Sequence, residues 1–379
     1  MTDAADGDPA GERAGGAPPV DEPVGELELV HAFHGPMPTG VTVSRTGRVF
    51  VCYPKWGDDV PATVAELVDG REVPFPDEAW NSPDGDDDEG ALVSVQSVVV
   101  DPADRLWALD TGSPMFAPVK PGGPKLVRFD LATGAVEQVV TFSPDVVLES
   151  TYLNDVRFDL RAGEAGTAYI TDSSDKGPNG LIVVDLASGR AWRRLHEHPS
   201  TKAEPLSTFR PVVEGRPFLQ RSEDGSTQPV SMGADGIAIS ADGERLFYCP
   251  LASRRWYSVP TAALRDTSLD DEAVAAAVVD EGDKGTGSDG LETDDAGRLY
   301  LTAYEQDAVL RRLPDGSFET LVHDPRLLWT DTLSVADGWL YVTANQLHRQ
   351  PTYQGGQDLR RKPYALFRTR IDAGPVRLR

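Results

Sequence analysis

The sequence has 379 residues, of which 40% are hydrophobic and 26% are charged, and its formal net charge is −25 at pH 7. This composition is ordinary for a globular protein with a large core, and its negative field repels phosphates and anionic headgroups, so neither nucleic acid nor membrane is expected as a partner. No apolar run approaches the ~18 residues of a transmembrane helix. We therefore expect a small neutral or cationic molecule, or a metal ion, as the ligand.

The N-terminal segment is rich in Ala, Gly, Asp and Pro and lacks the basic start and apolar stretch of a secretory signal. It predicts a disordered tail over residues 1–24, followed by a single domain over residues 25–379. The two cysteines, Cys52 and Cys249, fall at the ends of predicted strands, where buried free thiols are favoured over a disulfide. We expect a cytoplasmic protein.

A hairpin pattern recurs six times: a polar residue, an alternating apolar run, a turn with Gly or Asp, and a second apolar run. The six instances begin at Thr39, Gln96, Asn154, Asp235, Asp289 and Asp331. Their spacing suits four-stranded blades of ~40–50 residues with variable outer loops. The repeat predicts an all-β protein, a six-bladed β-propeller around a central channel.

Three further segments refine this prediction. The strands ELELVHAF (26–33) and ALFRTRI (365–371) would seal the ring by pairing within one blade, and a sealed ring favours a monomer. The segment LDDEAVAAAVVDEG (269–282) contains helix-forming residues, but we expect an outer strand and loop of the fourth blade there. The polar insertion at about 196–231 predicts a lid or rim loop.

The residues that open the six inner strands should form a ring around the axis, because inner strands of a propeller converge there. All six are polar and three are carboxylates, and such crowding raises carboxyl pKa values unless a cation neutralises the group. Oxygen ligands suit calcium or magnesium. A bound cation, Asx-turns at the strand entrances and direct contact of Thr39, Gln96 and Asp331 with a ligand all remain open.

Other residues extend the candidate site. Tyr152 and Trp329 flank two strand starts and could wall the cavity, although aromatic residues beside turns also serve in packing. A carboxylate such as Asp235 or Asp289 could act as a proton shuttle. The sequence contains neither a P-loop nor a dinucleotide fingerprint, so no nucleotide cofactor is expected.

Several segments together resemble the major royal jelly/yellow protein family, including bacterial members related to dopachrome tautomerases. They include VQSVVVDPADRLWALDTG (95–112), YLNDVRFDL (152–160), DGIAISADGERLFYCPLASRRWYSVPT (235–261) and LLWTDTLSVADGWLYVTANQL (327–347). The resemblance implies a propeller enzyme that tautomerises or isomerises a cyclic, quinone-like compound, with secondary metabolism as the expected setting. It also makes Asn345 a ligand-contact candidate, since this segment contributes to an amine-binding pocket in the family. A non-catalytic binder of amines or other small cationic ligands is the alternative.

The family is distantly similar to the regucalcin/gluconolactonase propellers, which hold a divalent cation, typically calcium, in the central channel. This similarity implies lactone hydrolysis as a second possible reaction, in which a cation would polarise a carbonyl. The matching metal positions are Asn154, Asp235 and Asp289. The first-blade position carries Thr39, whereas the relatives have Glu.

Overall fold

The computed structural model of the chain describes residues 23–81, 90–119 and 122–379. Six four-stranded antiparallel sheets form a closed ring within these residues, which confirms the predicted six-bladed propeller. Residues 1–22 of the predicted tail lie outside the described residues. No helix of the described part is both long and apolar enough to cross a membrane.

The first three blades follow a single N-terminal strand, β1 (Glu28–Phe33). Each blade runs outward from the axis in sequence order. Blade 1 consists of β2 (Val41–Val43), β3 (Val49–Cys52), β4 (Val64–Val68) and β5 (Arg71–Pro74). Blade 2 consists of β6 (Val95–Val100), β7 (Leu106–Asp110), β8 (Lys125–Phe129) and β9 (Val136–Thr141). Blade 3 consists of β10 (Leu153–Asp159), β11 (Thr167–Asp172), β12 (Gly180–Asp185) and β13 (Ala191–Arg194).

The insertion between blades 3 and 4 forms two small hairpins. They contain β14 (Val212–Val213), β15 (Arg216–Pro217), β16 (Leu219–Arg221) and β17 (Thr227–Pro229). Blade 4 consists of β18 (Ala234–Ile239), β19 (Arg245–Pro250), β20 (Arg255–Pro260) and β21 (Val279–Asp283). Blade 5 consists of β22 (Leu291–Thr293), β23 (Leu299–Ala303), β24 (Ala308–Arg312) and β25 (Phe318–His323).

Blade 6 closes the ring by combining both ends of the domain. It contains β26 (Thr330–Ala336), β27 (Trp339–Ala344) and β28 (Tyr364–Arg370), and β1 pairs with β28 as its outermost strand. Phe33 lies opposite Tyr364, and Glu28 lies opposite Arg368. The predicted pairing of the two terminal strands is therefore confirmed.

Short helices lie between strands. They are the α-helices α1 (Glu78–Asn81), α2 (Thr261–Arg265) and α3 (Asp271–Ala276), and the 3₁₀ helices Pro114–Phe116, Pro199–Thr201, Leu347–Arg349 and Pro351–Tyr353. The expectation of only strand and loop at 269–282 was wrong in part, because α3 precedes the outer strand β21. Asp270 caps this helix by accepting a hydrogen bond from the backbone NH of Ala273 at 2.8 Å, and the buried side chain of Val274 anchors it.

The insertion is attached to blade 6 by aromatic and ionic contacts. The ring of Phe218 lies 4.7 Å from that of Trp329 and 4.6 Å from that of Tyr353. Glu214 accepts hydrogen bonds from His348 and Arg349, which follow β27. The insertion therefore packs on the face of the propeller at which the inner strands begin.

Candidate functional site

A cavity of about 600 Å³ opens at the end of the propeller axis where the inner strands start. Its floor is made by five of the six predicted strand-opening residues, all of them buried: Gln96, Asn154, Asp235, Asp289 and Asp331. They meet because each lies within two residues of the start of the inner strand of a different blade. The ring that the repeat predicted is therefore present as a set of neighbouring side chains.

Glycines after two of these residues let adjacent blades approach closely. A Cβ added to Gly236 would lie 2.5 Å from the backbone oxygen of Asp289, and a Cβ added to Gly290 would lie 2.3 Å from that of Asp331. The Asp-Gly pairs therefore serve inter-blade packing, because any side chain at the glycine would separate the two carboxyl-bearing strands.

We expect Gly290→Ala to destabilise the fold by about 1–3 kcal/mol, because its Cβ would meet a backbone atom that cannot rotate away. Urea unfolding measures this loss. Gly35→Ala is the matched control, since the nearest atom to its Cβ is 3.8 Å away in a side chain. Equal stability of the two variants would contradict the close approach of blades 5 and 6.

Side chains from the second strands of blades 1, 3 and 6 hydrogen-bond to the backbone of the next blade near the floor. Thr171 donates to the backbone oxygen of Asp235 at 2.8 Å, and Thr343 donates to that of Thr39 at 2.8 Å. The thiol of Cys52 donates to the backbone oxygen of Gln96 at 3.1 Å. Burial raises the pKa of this thiol to about 12, so it stays protonated. Cys52 and Cys249 are free and buried, as predicted.

Asp235 and Asp289 both line the floor of the cavity and interact there as a pair of buried carboxyl groups. The side-chain amide of Asn154 donates to Oδ1 of Asp235, and the indole NH of Trp329 donates to Asp289 at 2.7 Å. Two buried carboxyl groups that interact in this way share a proton, since two like charges repel strongly where little water screens them. The pair is therefore a combined proton donor and acceptor.

Electrostatics distinguish the two members of the pair. Burial, followed by the charge of Asp289, raises the pKa of Asp235 well above its ordinary value. Burial raises the pKa of Asp289 to about 6, while hydrogen bonds from Trp329 and Asp235 limit the rise. Asp235 therefore holds the shared proton at neutral pH, and Asp289 carries the negative charge.

A third carboxyl group, Asp331, lies beside the pair and also lines the cavity. Burial and the charge of Asp289 raise its pKa well above the ordinary value. Asn345 donates to Asp331 at 2.6 Å and to the backbone oxygen of Pro38 at 3.0 Å. Asp331 is thus kept neutral and fixed at the edge of the floor.

Three predicted ligand-contact residues lie behind the floor instead of lining the cavity. Thr39, Trp329 and Asn345 are fully buried. The hydroxyl of Thr39 donates to the backbone oxygen of Gln96 at 3.0 Å. The indole of Trp329 is stacked on Tyr304, with ring centroids 4.3 Å apart. The polar groups of these three residues hydrogen-bond to neighbouring residues of the protein. The sequence predicted that they contact a ligand, whereas the structure places them behind the cavity floor.

One wall of the cavity is aromatic. Tyr152, predicted as a wall residue, donates its hydroxyl to the side-chain oxygen of Gln96 at 3.1 Å and lines the cavity. Phe116 stacks on Tyr152, with centroids 4.7 Å apart, and on Trp56, with centroids 5.4 Å apart. These flat surfaces suit a planar ligand ring.

The sequence interpretation missed most residues of the wall and rim. Trp56, Phe116, Lys176, Leu251 and Leu347 all line the cavity and all follow the second strand of a hairpin. A second strand runs back toward the start of the first, so the loop after it emerges on the same face as the strand-opening residues. Applied to the predicted hairpins, this relation would have identified the wall and rim residues from the sequence.

The predicted metal ligands do not surround a common point in this arrangement. Asn154 donates to Asp235, Trp329 donates to Asp289, and Thr39 supplies no carboxylate at the first-blade position. Among the described residues, no group of three or more His, Cys, Asp or Glu is placed to hold a metal ion. These residues do not fit a cation as they stand, so a bound divalent cation such as calcium stays a prediction.

Solved structures share the fold of this chain. A gluconolactonase from Xanthomonas campestris aligns with a TM-score of 0.54 at 13% identity, covering 92% of this chain and 90% of its own. A calcium-binding regucalcin from Agrobacterium tumefaciens aligns with a TM-score of 0.53 at 14% identity, covering 92% and 95%. At these identities the likeness shows the fold alone.

The sequence itself determines the family. The family model described as major royal jelly protein matches residues 93–368, and the chain belongs to this family. Protein yellow of Drosophila subobscura is 28% identical over 238 residues, which are 60% of this chain and 39% of that protein. Protein yellow of Drosophila melanogaster is equally similar, with 41% of its length covered. The chain thus spans about two fifths of these relatives.

Proposed function

We propose that the protein is an enzyme that moves protons on a small, neutral or cationic cyclic molecule held in the central cavity. The observation that carries this proposal is the pair of interacting carboxyl groups of Asp235 and Asp289, buried at the floor of a cavity with an aromatic wall. Membership of the royal jelly/yellow family supports a small-molecule ligand. The reaction class we propose is isomerisation or tautomerisation.

The pair can both remove a proton from the substrate and donate one to it, as an isomerisation requires. The Asp289 carboxylate removes a proton from the substrate, and the protonated Asp235 donates one to a carbonyl or imine of the same molecule. Transfer of a proton from Asp289 to Asp235 then restores the starting state of the pair. The aromatic wall formed by Trp56, Phe116 and Tyr152 would stack on the substrate ring and orient it over the pair.

Incubation with cyclic ketones, quinone-like compounds and lactones in D₂O tests the proposal. An isomerase should give an isomer that carries deuterium at the carbon that exchanges its proton, as seen by NMR and mass spectrometry. Ring-opened acid would instead indicate lactone hydrolysis, which the gluconolactonase-like fold also accommodates. If no compound exchanges protons or reacts, the catalytic proposal fails.

Binding of amines without turnover is the second candidate function. The Asp289 carboxylate and the aromatic wall favour it, because a cation gains from a buried negative charge and from aromatic faces. In the same NMR samples, a binder would show saturable shifts of an aromatic amine and no product.

A further inference from the structure

Gln96 lies on the cavity floor at a bulge in the inner strand of blade 2. The register between β6 and β7 shifts between Val95 and Ser97, so Gln96 is the inserted residue. A bulge of this kind bends the strand and redirects the side chain of the extra residue. Gln96 is only 7% exposed, and it lines the central cavity. The fold therefore brings a largely buried side-chain amide to the surface of the candidate active site.

A chain of hydrogen bonds holds the side chain of Gln96 in one orientation. The indole NH of Trp56 donates to the hydroxyl oxygen of Tyr152 at 2.8 Å. An indole nitrogen only donates, so Tyr152 accepts there and donates its own proton to Oε1 of Gln96 at 3.1 Å. Burial raises the pKa of Tyr152 well above its ordinary value, so this donor stays protonated. The chain thus directs the oxygen end of the amide toward Tyr152.

The oxygens of Gln96 are engaged, whereas its side-chain nitrogen is not. The backbone oxygen accepts from the hydroxyl of Thr39 at 3.0 Å and from the thiol of Cys52 at 3.1 Å. The side-chain nitrogen, Nε2, donates to no group in the described part of the chain, and it is not one of the unpartnered atoms there that are sealed from solvent. Nε2 is therefore an accessible hydrogen-bond donor with a fixed position on the cavity floor.

We propose that the side-chain amide of Gln96 binds a ring carbonyl of the substrate, so that the cavity selects cyclic ketones over amines and hydrocarbons. This inference rests on the proposed function, and it names the group of the substrate that the floor recognises. A carbonyl oxygen accepts the hydrogen bond that Nε2 offers, whereas an ammonium group has no acceptor. When Asp289 removes a proton beside the carbonyl, negative charge develops on that oxygen, and a donor that is already oriented stabilises this charge.

Binding of two bicyclic probes to the full chain tests this assignment. 1-Indanone and indane share the same fused rings, and only 1-indanone has a carbonyl. Gln96→Leu should lower the affinity for 1-indanone by about three- to tenfold, the contribution of one hydrogen bond, and leave the affinity for indane within about twofold. Titration followed by NMR measures both affinities. Infrared spectroscopy gives a second readout, because the carbonyl band of bound 1-indanone should lie at lower frequency in the parent protein than in Gln96→Leu.

Gln220→Leu is the matched control. Gln220 lies on β16 of the insertion and lines the same cavity, but its side chain forms no hydrogen bond with the described residues that would fix its amide. A donor that must first be ordered contributes little to binding. The affinities of this variant for both probes should therefore stay within about twofold of those of the parent.

Tyr152→Phe tests the orientation of the amide without changing Gln96 itself. This variant keeps the ring that stacks on Phe116 and removes the hydroxyl that donates to Oε1. The carbonyl band of bound 1-indanone should shift to higher frequency, while the affinity for indane stays unchanged. A purely structural role of Tyr152 would instead lower the affinities for both probes and leave the band in place.

Four results would overturn the proposal. They are the absence of saturable binding of 1-indanone, equal losses for the two probes in Gln96→Leu, the same carbonyl frequency in Gln96→Leu as in the parent, and an equal loss of 1-indanone affinity in Gln220→Leu. Neither readout requires turnover, so both are independent of the deuterium-exchange test of the carboxyl pair. Binding of 1-indanone through Gln96 without any exchange or reaction of the compounds would refute the enzyme and retain the carbonyl site.

Discussion

Asp235→Asn and Asp289→Asn should each reduce turnover of an active substrate by about 10²–10⁴-fold while the propeller stays folded. Asparagine keeps the shape and the hydrogen-bond acceptor of the side chain but cannot exchange a proton. Each substitution therefore disables one half of the carboxyl pair. Steady-state kinetics combined with circular dichroism would separate loss of chemistry from loss of structure.

The pH dependence of the parent protein follows from the same pair. Asp289, with a pKa of about 6, is neutral below that pH and becomes a base above it. Turnover should therefore rise as the pH increases through about 6. The raised pKa of Asp235 means that the native state binds its proton more tightly than the unfolded chain does. Native stability is therefore lost as the pH rises toward that pKa, so Asp235→Asn should have a higher Tm than the parent at pH 8.

Asp337→Asn is the matched control for these substitutions. Asp337 is exposed in the turn between β26 and β27, at the opposite end of the inner strand from the cavity floor. Its variant should retain parental turnover and the parental pH profile. Parental turnover in both Asp235→Asn and Asp289→Asn would instead place the chemistry elsewhere.

Phe33→Ala should destabilise the protein by about 3–5 kcal/mol, because it empties a fully buried position in the strand that closes the ring. Phe33 pairs with Tyr364 of β28, and its ring packs edge-to-face on Tyr53 of blade 1 at 6.1 Å. The empty space left by the Phe33 ring would loosen the packing of both blade 6 and blade 1. Guanidinium unfolding followed by tryptophan fluorescence measures the change.

Leu29→Ala is the control for the closing strand. Leu29 lies on β1 as well, opposite Phe367, but its side chain is 57% exposed. Its truncation should change stability by no more than about 0.5 kcal/mol. Similar losses in the two variants would mean that strand pairing, and not burial of Phe33, holds the ring closed.

The propeller could be predicted because the sequence signals that define it are local and are repeated along the chain. Each hairpin has its own alternation of apolar and polar residues and its own turn, and six such hairpins imply a closed ring. The pairing of β1 with β28 followed from the need to cover a free sheet edge. The helix α3 escaped prediction because the Asp270 cap and the buried Val274 act over only a few residues.

The floor of the cavity was also predictable in large part, because five of the six residues that open the inner strands line it. Gln96, Asn154, Asp235, Asp289 and Asp331 were identified in this way. Family resemblance added Asn345, which the structure places behind Asp331 as its hydrogen-bond donor. A position in the repeat indicates where the backbone lies, but not which way a buried polar side chain turns.

The sequence by itself thus determined the class of fold, the closure of the ring and the residues of the cavity floor, since these depend on periodicity along the chain. Only the tertiary structure decided that Asp235 and Asp289 interact at the cavity floor, that Trp329 donates to Asp289, and that the insertion packs on blade 6 through Phe218. The reason is physical: these contacts join residues from different blades, and their geometry depends on how closely the blades pack. The glycines at 236 and 290 permit that close approach.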